Sequence, residues 1–400
     1  MKKKYDIIIL TDYYPGFFGL EENFLIKNNV SYLVLAEKIK STESNRKNTI
    51  QLSDAQNSLS ILFRAALFFL VRSNYKNYIT HKEENKWLKF KTSFNWIRKA
   101  FAYIQLIEKH CEVTPQTKIY SFWGDEKAIC AALLAKKYKL PAAVRFHGWD
   151  LYHERHKIYK LPLRHIINKY VESLVFISEQ GRNYYLNEFP NVAHKAHVAY
   201  LGTPAPLPIS TQTYPPDSVQ LTIVSCSYLV PIKRIDTLFK AISELTAAHF
   251  QIEWHHLGGG KQLAYFNERI EKEQLQNVHF HGDKSNDAIH QFFASTAIDV
   301  FVNVSESEGL PVSIMEAMSY GIPCIAPEIG GIPEAIQHAK NGFLLPKEPT
   351  VDEIKREILH FYQLTSVEKT QMAQQAKATW TEKFDATTNT TLFYKRIFKF

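Results

Sequence analysis

The sequence predicts an α/β protein made of two doubly wound parallel-sheet domains that face a shared cleft. Short apolar runs alternate with longer helical patterns along the whole chain, as parallel strands joined by crossover helices require. At 400 residues the chain is too long for one typical core and comfortable for two. Between two sets of such runs lies Gly202 to Asp217, with five prolines in sixteen residues, which can continue neither helix nor strand. The reading is therefore a first domain over 1–202, a semi-rigid linker over 203–218 and a second domain from 219. Predicted strands in the first half are Tyr5–Leu10, Ser31–Ala36, Lys118–Phe122, Ala142–His147, Leu174–Ser178 and His197–Leu201. In the second half they are Leu221–Ser225, Ile252–Leu257, Val278–His281, Ile298–Val304, Pro323–Ala326 and Phe343–Leu345. Ligands of doubly wound sheets bind at the carboxyl ends of the strands, which places a site in the cleft.

Composition narrows the class. Hydrophobic content of 45% without low-complexity tracts excludes a disordered chain. Cys111, Cys130, Cys226 and Cys324 are scattered without metal-ligand spacing, and read as buried thiols of a reducing compartment. The start MKKKYDIIILTDYYP has an apolar run of about six residues that ends at Asp12, which reads as a first strand instead of an export signal. No run of 18 or more apolar residues exists to span a bilayer. A net charge of +8 and a pI near 9.0 point to an anionic partner, yet no nucleic-acid module is recognisable. Between Asn57 and His110 stand ten Lys or Arg against three acids.

The densest signal runs from Asn303 to Gly342. The apolar run Ile298 to Val304 empties into a polar loop carrying Glu308 and then Gly309, Leu310 and Pro311. A helical pattern opens near Pro311 or Val312, and Glu316 follows eight residues after Glu308. A strand, a glycine turn and a helix start hold a phosphate, because the unpaired amides and positive dipole end of the helix face it. Carboxylates would repel that phosphate. Their natural partners are the vicinal hydroxyls of sugars, so the pattern reads as a nucleotide-sugar site.

These residues, E-G-L-P-V-S-I-M-E with A-M-S-Y-G-I-P-C-I and G-G-I-P-E…N-G-F-L downstream, resemble the signature of family 4 retaining glycosyltransferases of GT-B fold. The tail from Trp380 resembles the terminal helix that crosses back to the first domain in that fold, over 383–400. The resemblance implies that Glu308 binds donor-sugar hydroxyls, that the Gly309 and Leu310 amides lie near the phosphate or sugar, and that Glu316 accepts both ribose hydroxyls. It implies that Lys233 neutralises the diphosphate, with Arg234 replacing a missing charge, since Ser227-Tyr228 stand where Gly-Arg is usual. Gly258-Gly259-Gly260 resembles the turn beside the nucleotide, and His281-Gly282-Asp283 the segment that cradles the base. The chain has no Asp-x-Asp pair, the usual holder of a divalent metal on a diphosphate, so no metal or other cofactor is expected.

In the first half, R-F-H-G-W-D-L-Y resembles surface-polysaccharide members of the family. It implies a catalytic role for His147 near the transferred sugar, with Arg145 and Asp150 on the acceptor side; an Asp there also suits a helix cap. Gly19, in the first glycine turn, is the candidate for close backbone approach beside the donor. The implied chemistry is hexosyl transfer from a nucleoside-diphosphate sugar to a glycan, lipid-linked acceptor, with the leaving diphosphate as base. No protein nucleophile set competes. Closure about the linker would exclude water. Two other readings stay open: an epimerase of this fold, or a degenerate nucleotide-sugar binder, kept alive by Tyr228. Residues 58–72 are apolar for about thirteen residues, a helix of roughly 20 Å against a hydrocarbon core of ~30 Å. That helix either packs in the first domain or lies on an anionic bilayer with Arg64 and Arg72 snorkelling, which would put a cytoplasmic enzyme at the inner face of the plasma membrane.

Overall fold

The computed structural model describes residues 2–14, 18–39, 48–52, 59–70, 86–156, 161–208, 214 and 220–400. The chain divides into two compact units. The first comprises Met1–Ala199 with Thr390–Phe400, and the second Tyr200–Asn389. Of the proline-rich linker, residues 209–213 and 215–218 lie outside the described residues.

The first unit runs β1 (Ile7–Tyr14), α1 (Phe18–Lys27), β2 (Tyr32–Ile39), β3 (Thr49–Gln51), α2 (Leu59–Leu70), α3 (Lys86–His110), β4 (Lys118–Ser121), α4 (Glu126–Tyr138) and β5 (Ala142–Phe146). It continues with α5 (Arg164–Tyr170), β6 (Ser173–Phe176), α6 (Glu179–Glu188) and β7 (Ala196–Val198). The strands pair in parallel in the order β3-β2-β1-β4-β5-β6-β7. Helices cover both faces of such a sheet, so its strands read as unbroken apolar runs; Ile7, Ile8, Ile9 and Leu10 are all buried. Order reverses between β1 and β4, the switch point where such sheets open a crevice.

The second unit contains β8 (Leu221–Cys226), α7 (Ile235–Ala247), β9 (Ile252–Leu257), α8 (Leu263–Glu273), β10 (Val278–Phe280), α9 (Asn286–Ser295) and β11 (Val300–Val302). After these come α10 (Val312–Ser319), β12 (Cys324–Pro327), α11 (Ile332–Ala335), β13 (Gly342–Leu345), α12 (Val351–Gln363) and α13 (Ser366–Lys383). Its parallel sheet has the order β10-β9-β8-β11-β12-β13. Thr350 and Thr365 start α12 and α13 with capping boxes to Glu353 and Glu368. The stretch entering this unit pairs with the stretch leaving it: Thr203 bridges Asp385, and Trp380 Nε1 donates to Thr203 Oγ1 at 2.8 Å. The chain then forms α14 (Ala386–Phe393) and a π-turn over Tyr394–Phe398, and its last eleven residues belong to the first unit.

This is the two-sheet Rossmann-like architecture predicted. β3 was missed, because Thr49–Gln51 is a three-residue edge strand with no apolar run. All four cysteines are free, three of them buried.

Candidate active site

In the second unit, the loops at the carboxyl ends of β8, β9, β10 and β11 are tied to one another. Ser227 N–H donates to the Leu257 carbonyl at 3.0 Å, and Leu229 N–H to that of Gly259 at 2.8 Å. Gly258 has φ +135°, and a Cβ there would stand 1.9 Å from the Ser227 carbonyl oxygen, so only glycine fits. Gly258 N–H donates to the Gly282 carbonyl at 3.0 Å, and Gly259 N–H to Asp283 Oδ1 at 3.1 Å. The glycine turn with Gly258 and Gly260 and the Gly282-Asp283 segment are thus neighbours.

Lys233 ends a 3₁₀ turn (Pro231–Lys233), and its Nζ donates to Glu308 Oε1 at 2.5 Å. Glu306 N–H donates to the Ile232 carbonyl at 2.9 Å and joins the two loops. Arg234 has φ +51° and sends its guanidinium to the Pro349 carbonyl at 2.9 Å. The adjacent cations therefore diverge, with Lys233 at Glu308 and Arg234 at the lead-in to α12. Tyr228, where the resemblance called for Arg, is 71% exposed.

Glu308 is buried, with Asn303 Nδ2 3.5 Å from its Oε1. Behind it Gly331 N–H donates to the Gly309 carbonyl at 2.5 Å, and Gly330 has φ +50°. A Cβ on Gly330 would come within 2.0 Å of the Glu308 carbonyl oxygen, so this glycine fixes how the Glu308 loop sits. Pro311 takes the N-cap position and Val312 opens α10, one residue later than a proline at the first helical position. Leu310 is buried behind that start. The first amides of α10 have no partner within the helix. Glu316, on the buried face of α10, accepts from Asn286 Nδ2 at 3.2 Å and lies 3.8 Å from His290 Nε2. Burial pushes its carboxyl up to about 7.

In the first unit, β5 delivers His147, which is 6% exposed, stacked on Phe122 and tilted against Trp123, with ring centroids 5.0 and 4.2 Å away. Neither ring nitrogen has a hydrogen-bond partner, and Nδ1 stands 3.8 Å from Asp150 Oδ2, too far for one. Asp150 holds the loop. Its carboxylate accepts the amides of His147 at 2.6 Å and Gly124 at 2.5 Å. Burial opposes its charge, yet His147, the Gly124 amide and Arg164 together keep the carboxyl below its ordinary range.

Arg145 does not lie where an acceptor could reach it, which corrects the sequence reading. It is 2% exposed, its guanidinium is bonded to Glu21, and it lies 4.0 Å over the Phe393 ring. Gly19 is the second residue of α1, just after residues 15–17, which lie outside the described residues.

Sequence reasoning missed a charge cluster at the ends of β1, β2 and β4. There the fully buried Lys127 meets Asp12, Asp125 at 2.9 Å and Glu126 at 3.2 Å. Lys99 bridges Glu37 at 2.6 Å and Glu126 at 3.0 Å. Burial and the neighbouring Glu126 push the Asp125 carboxyl up to about 7. Asp125, Glu126 and Lys127 are consecutive, but Asp12 on β1, Glu37 on β2 and Lys99 on α3 are far from them in the chain, and no local pattern joins the four segments. Asn303, Asn286 and Gly330 were also missed as supports of the carboxylates.

Residues 211–379 match the family of glycosyl transferases group 1. The O-antigen biosynthesis glycosyltransferase WbnH of Escherichia coli is 32% identical over 136 residues, 34% of this chain and 36% of that protein. The chain thus spans about a third of the length of the first curated relatives it matches. Among solved structures, Anabaena Alr3699/HepE in complex with UDP and glucose superposes with a TM-score of 0.68 at 16% identity, covering 99% of this chain and 100% of that one. The lipopolysaccharide outer core galactosyltransferase WaaB, in its apo form, gives 0.69 at 17% identity over 98% and 99%. These neighbours show the fold, which is GT-B. Residues 211–379 thus carry a similarity to the glycosyl transferases of group 1, within a two-sheet architecture that is GT-B.

Proposed function

We propose that the chain is a metal-independent, retaining hexosyltransferase that moves a sugar from a nucleoside diphosphate to a lipid-linked glycan during surface-polysaccharide synthesis. The observation that carries this reading is the Lys233–Glu308 pair at the mouth of the loop leading into α10, with Glu316 further along the same helix. Lys233 and the first amides of α10 offer positive charge to a diphosphate, and the two carboxylates offer acceptors to sugar and ribose hydroxyls. The leaving diphosphate then deprotonates the acceptor hydroxyl on the face it vacates. His147, buried with both nitrogens unpartnered, is reserved for a substrate group, since such nitrogens are otherwise satisfied within the fold. The UDP held by the Anabaena protein makes UDP the first nucleotide to try.

The test is sugar transfer by the purified chain from a panel of nucleotide-sugars to a lipid-linked glycan, with and without EDTA. Turnover is expected in both conditions. Glu308→Ala and Glu316→Ala should each lower kcat/KM by roughly ten- to over a hundred-fold, the worth of a charged hydrogen bond. Near-native turnover in both variants would remove these roles, and dependence on added metal would remove the neutralisation by Lys233 and helix dipole. The exposed Tyr228 favours a second reading, a binder without turnover; donor hydrolysis by the purified chain excludes it.

Glu316 gives the nucleotide affinity a pH dependence. Its carboxyl titrates near 7 and is mostly protonated below that, whereas two ribose hydroxyls require the ionised acceptor. UDP binding should therefore release up to one proton near neutrality and weaken by up to about tenfold per unit as pH falls from 7. Calorimetry in buffers of different ionisation enthalpy reads the proton directly, and Glu316→Gln should flatten the profile. A flat profile in the unaltered chain would count against Glu316 as the ribose acceptor.

The inner-membrane placement rests on α2. One face packs through Ile61, Ala65 and Phe69, while Leu59, Phe63, Leu67 and Leu70 are 45–85% exposed. Residues at this spacing form one stripe, and such a stripe beside a basic segment suits an anionic bilayer surface. Of that segment, residues 71–85 lie outside the described residues. Among the described residues no helix is long and apolar enough to cross a membrane. Flotation with vesicles containing anionic lipid should carry the chain upward. Phe63→Glu should release it, and absence of binding at any salt would end this placement.

A further inference from the structure

At its edge strand, just before the Gly282 turn, the second sheet gathers histidines. Glu253 and His255 stand two residues apart on β9 and so share one sheet face, opposite Trp254. The edge strand β10 sets His279 directly beside His255 in the parallel register. The two imidazoles stack with centroids 4.8 Å apart. Both Nε2 atoms approach the same oxygen, Glu253 Oε1, at 3.4 Å for His255 and 3.3 Å for His279. Hydrogen bonds to nitrogen span about 2.7–3.2 Å, so these contacts are too long to be the usual ion-pair bonds. They match the edge of a coordination tetrahedron, because ligands about 2.0–2.2 Å from a zinc-type ion stand about 3.3–3.5 Å from one another.

The far side of each ligand is already held. His255 Nδ1 lies 3.1 Å from His281 Nε2, which leaves His255 Nε2 for the third party. Gln220 Nε2 donates to Glu253 Oε2 at 2.7 Å, which leaves Oε1. Phe292 on α9 packs edge-on against both His255 and His281. Outer contacts of this kind fix the tautomer and orientation of metal ligands.

We propose that Glu253, His255 and His279 bind one divalent first-row transition cation of zinc type, with His281 orienting His255. Two imidazoles and one carboxylate suit zinc, cobalt or nickel, whereas magnesium and calcium demand more oxygens. Three protein ligands leave a fourth position for water. The ion ties the edge strand to β9 immediately before the turn at Gly282. The site is separate from the Lys233–Glu308 pair, and the proposal does not depend on glycosyl transfer.

The test uses the full chain without a histidine tag, dialysed against Zn2+ and, separately, Co2+ or Mg2+. One equivalent of Zn2+ is expected, with a Tm rise of about 5 °C at roughly a hundred-fold excess over Kd. Co2+ should give the visible absorption of a low-coordinate site, and Mg2+ should give neither signal. His279 is 39% exposed at its side chain, so His279→Ala should fold and lose affinity by about a hundred-fold, as should Glu253→Gln. His281→Phe should lose about tenfold. No bound Zn2+ or Co2+ in the unaltered chain overturns the proposal whether or not the variants fold, as does binding that persists in both His279→Ala and Glu253→Gln. Unchanged affinity in His281→Phe overturns the orienting role.

Discussion

Lys233→Ala is expected to lower kcat for sugar transfer by about 10²- to 10³-fold while KM changes little, the cost of removing one preorganised partner of a developing anion. The bond to the diphosphate breaks with negative charge growing on its oxygens, so a fixed cation there acts on the transition state more than on the bound donor. The structure explains why Lys233 can be fixed. Its ammonium is held at 2.5 Å by Glu308, on a loop anchored through Glu306 N–H to the Ile232 carbonyl. The same pair makes the two positions interdependent, because Lys233→Ala also leaves the buried Glu308 without its cation. The double variant Lys233→Ala/Glu308→Ala should therefore lose much less than the sum of the single losses. Steady-state kinetics with matched Tm values read this. A Lys233→Ala enzyme within threefold of the unaltered one would remove the lysine from the chemistry.

The second large effect falls on stability. Arg145→Ala should destabilise the first unit by about 3–5 kcal/mol, since it strands the buried Glu21 carboxylate. By the scaling for units of this size, the corresponding calorimetric transition should fall by about 10 °C. Glu21 Oε2 also accepts from Tyr394 OH at 3.1 Å, so the loss reaches the end of the chain. Arg145→Met with Glu21→Gln should recover most of the loss, because no unpaired charge remains and Gln still accepts from Tyr394. A single Arg145→Ala variant that melts with the unaltered protein would show that this pair contributes nothing.

Arg145 also marks where the sequence stopped being legible. The strand that carries it is plain from its apolar run, and the motif it shares with His147 implied a place on the acceptor side. Alternation along a strand sends residues 145 and 147 to one face, but depth is set by Glu21, Phe393 and Tyr394, and nothing local announces those partners. Lys127 is hidden in part for the same reason, since Asp125 and Glu126 are its sequence neighbours but Asp12 and Glu37 reach it from β1 and β2. The donor side was far more readable. Glu308, Gly309, Leu310 and Glu316 fall within nine residues, so one strand–loop–helix passage dictates their arrangement. Even there the supports were invisible. Asn286 reaches Glu316 from the preceding helix, and Gly330 backs Glu308 from a turn beyond the next strand. Arg234 shows the converse, since a cation adjacent to the one at Glu308 turns instead to Pro349.

The last eleven residues carry a consequence for biosynthesis. Phe393, Tyr394 and Phe398 pack around Tyr120 at ring distances of 5.1–6.5 Å, inside a unit whose other residues end at Ala199. The ribosome must add roughly 190 residues between the two pieces, about 10–40 s of elongation at common rates. Throughout that interval Arg145 and Glu21 of the nascent first unit lack the Phe393 ring and the Tyr394 hydroxyl, and the unit closes only once residues 390–400 have been made.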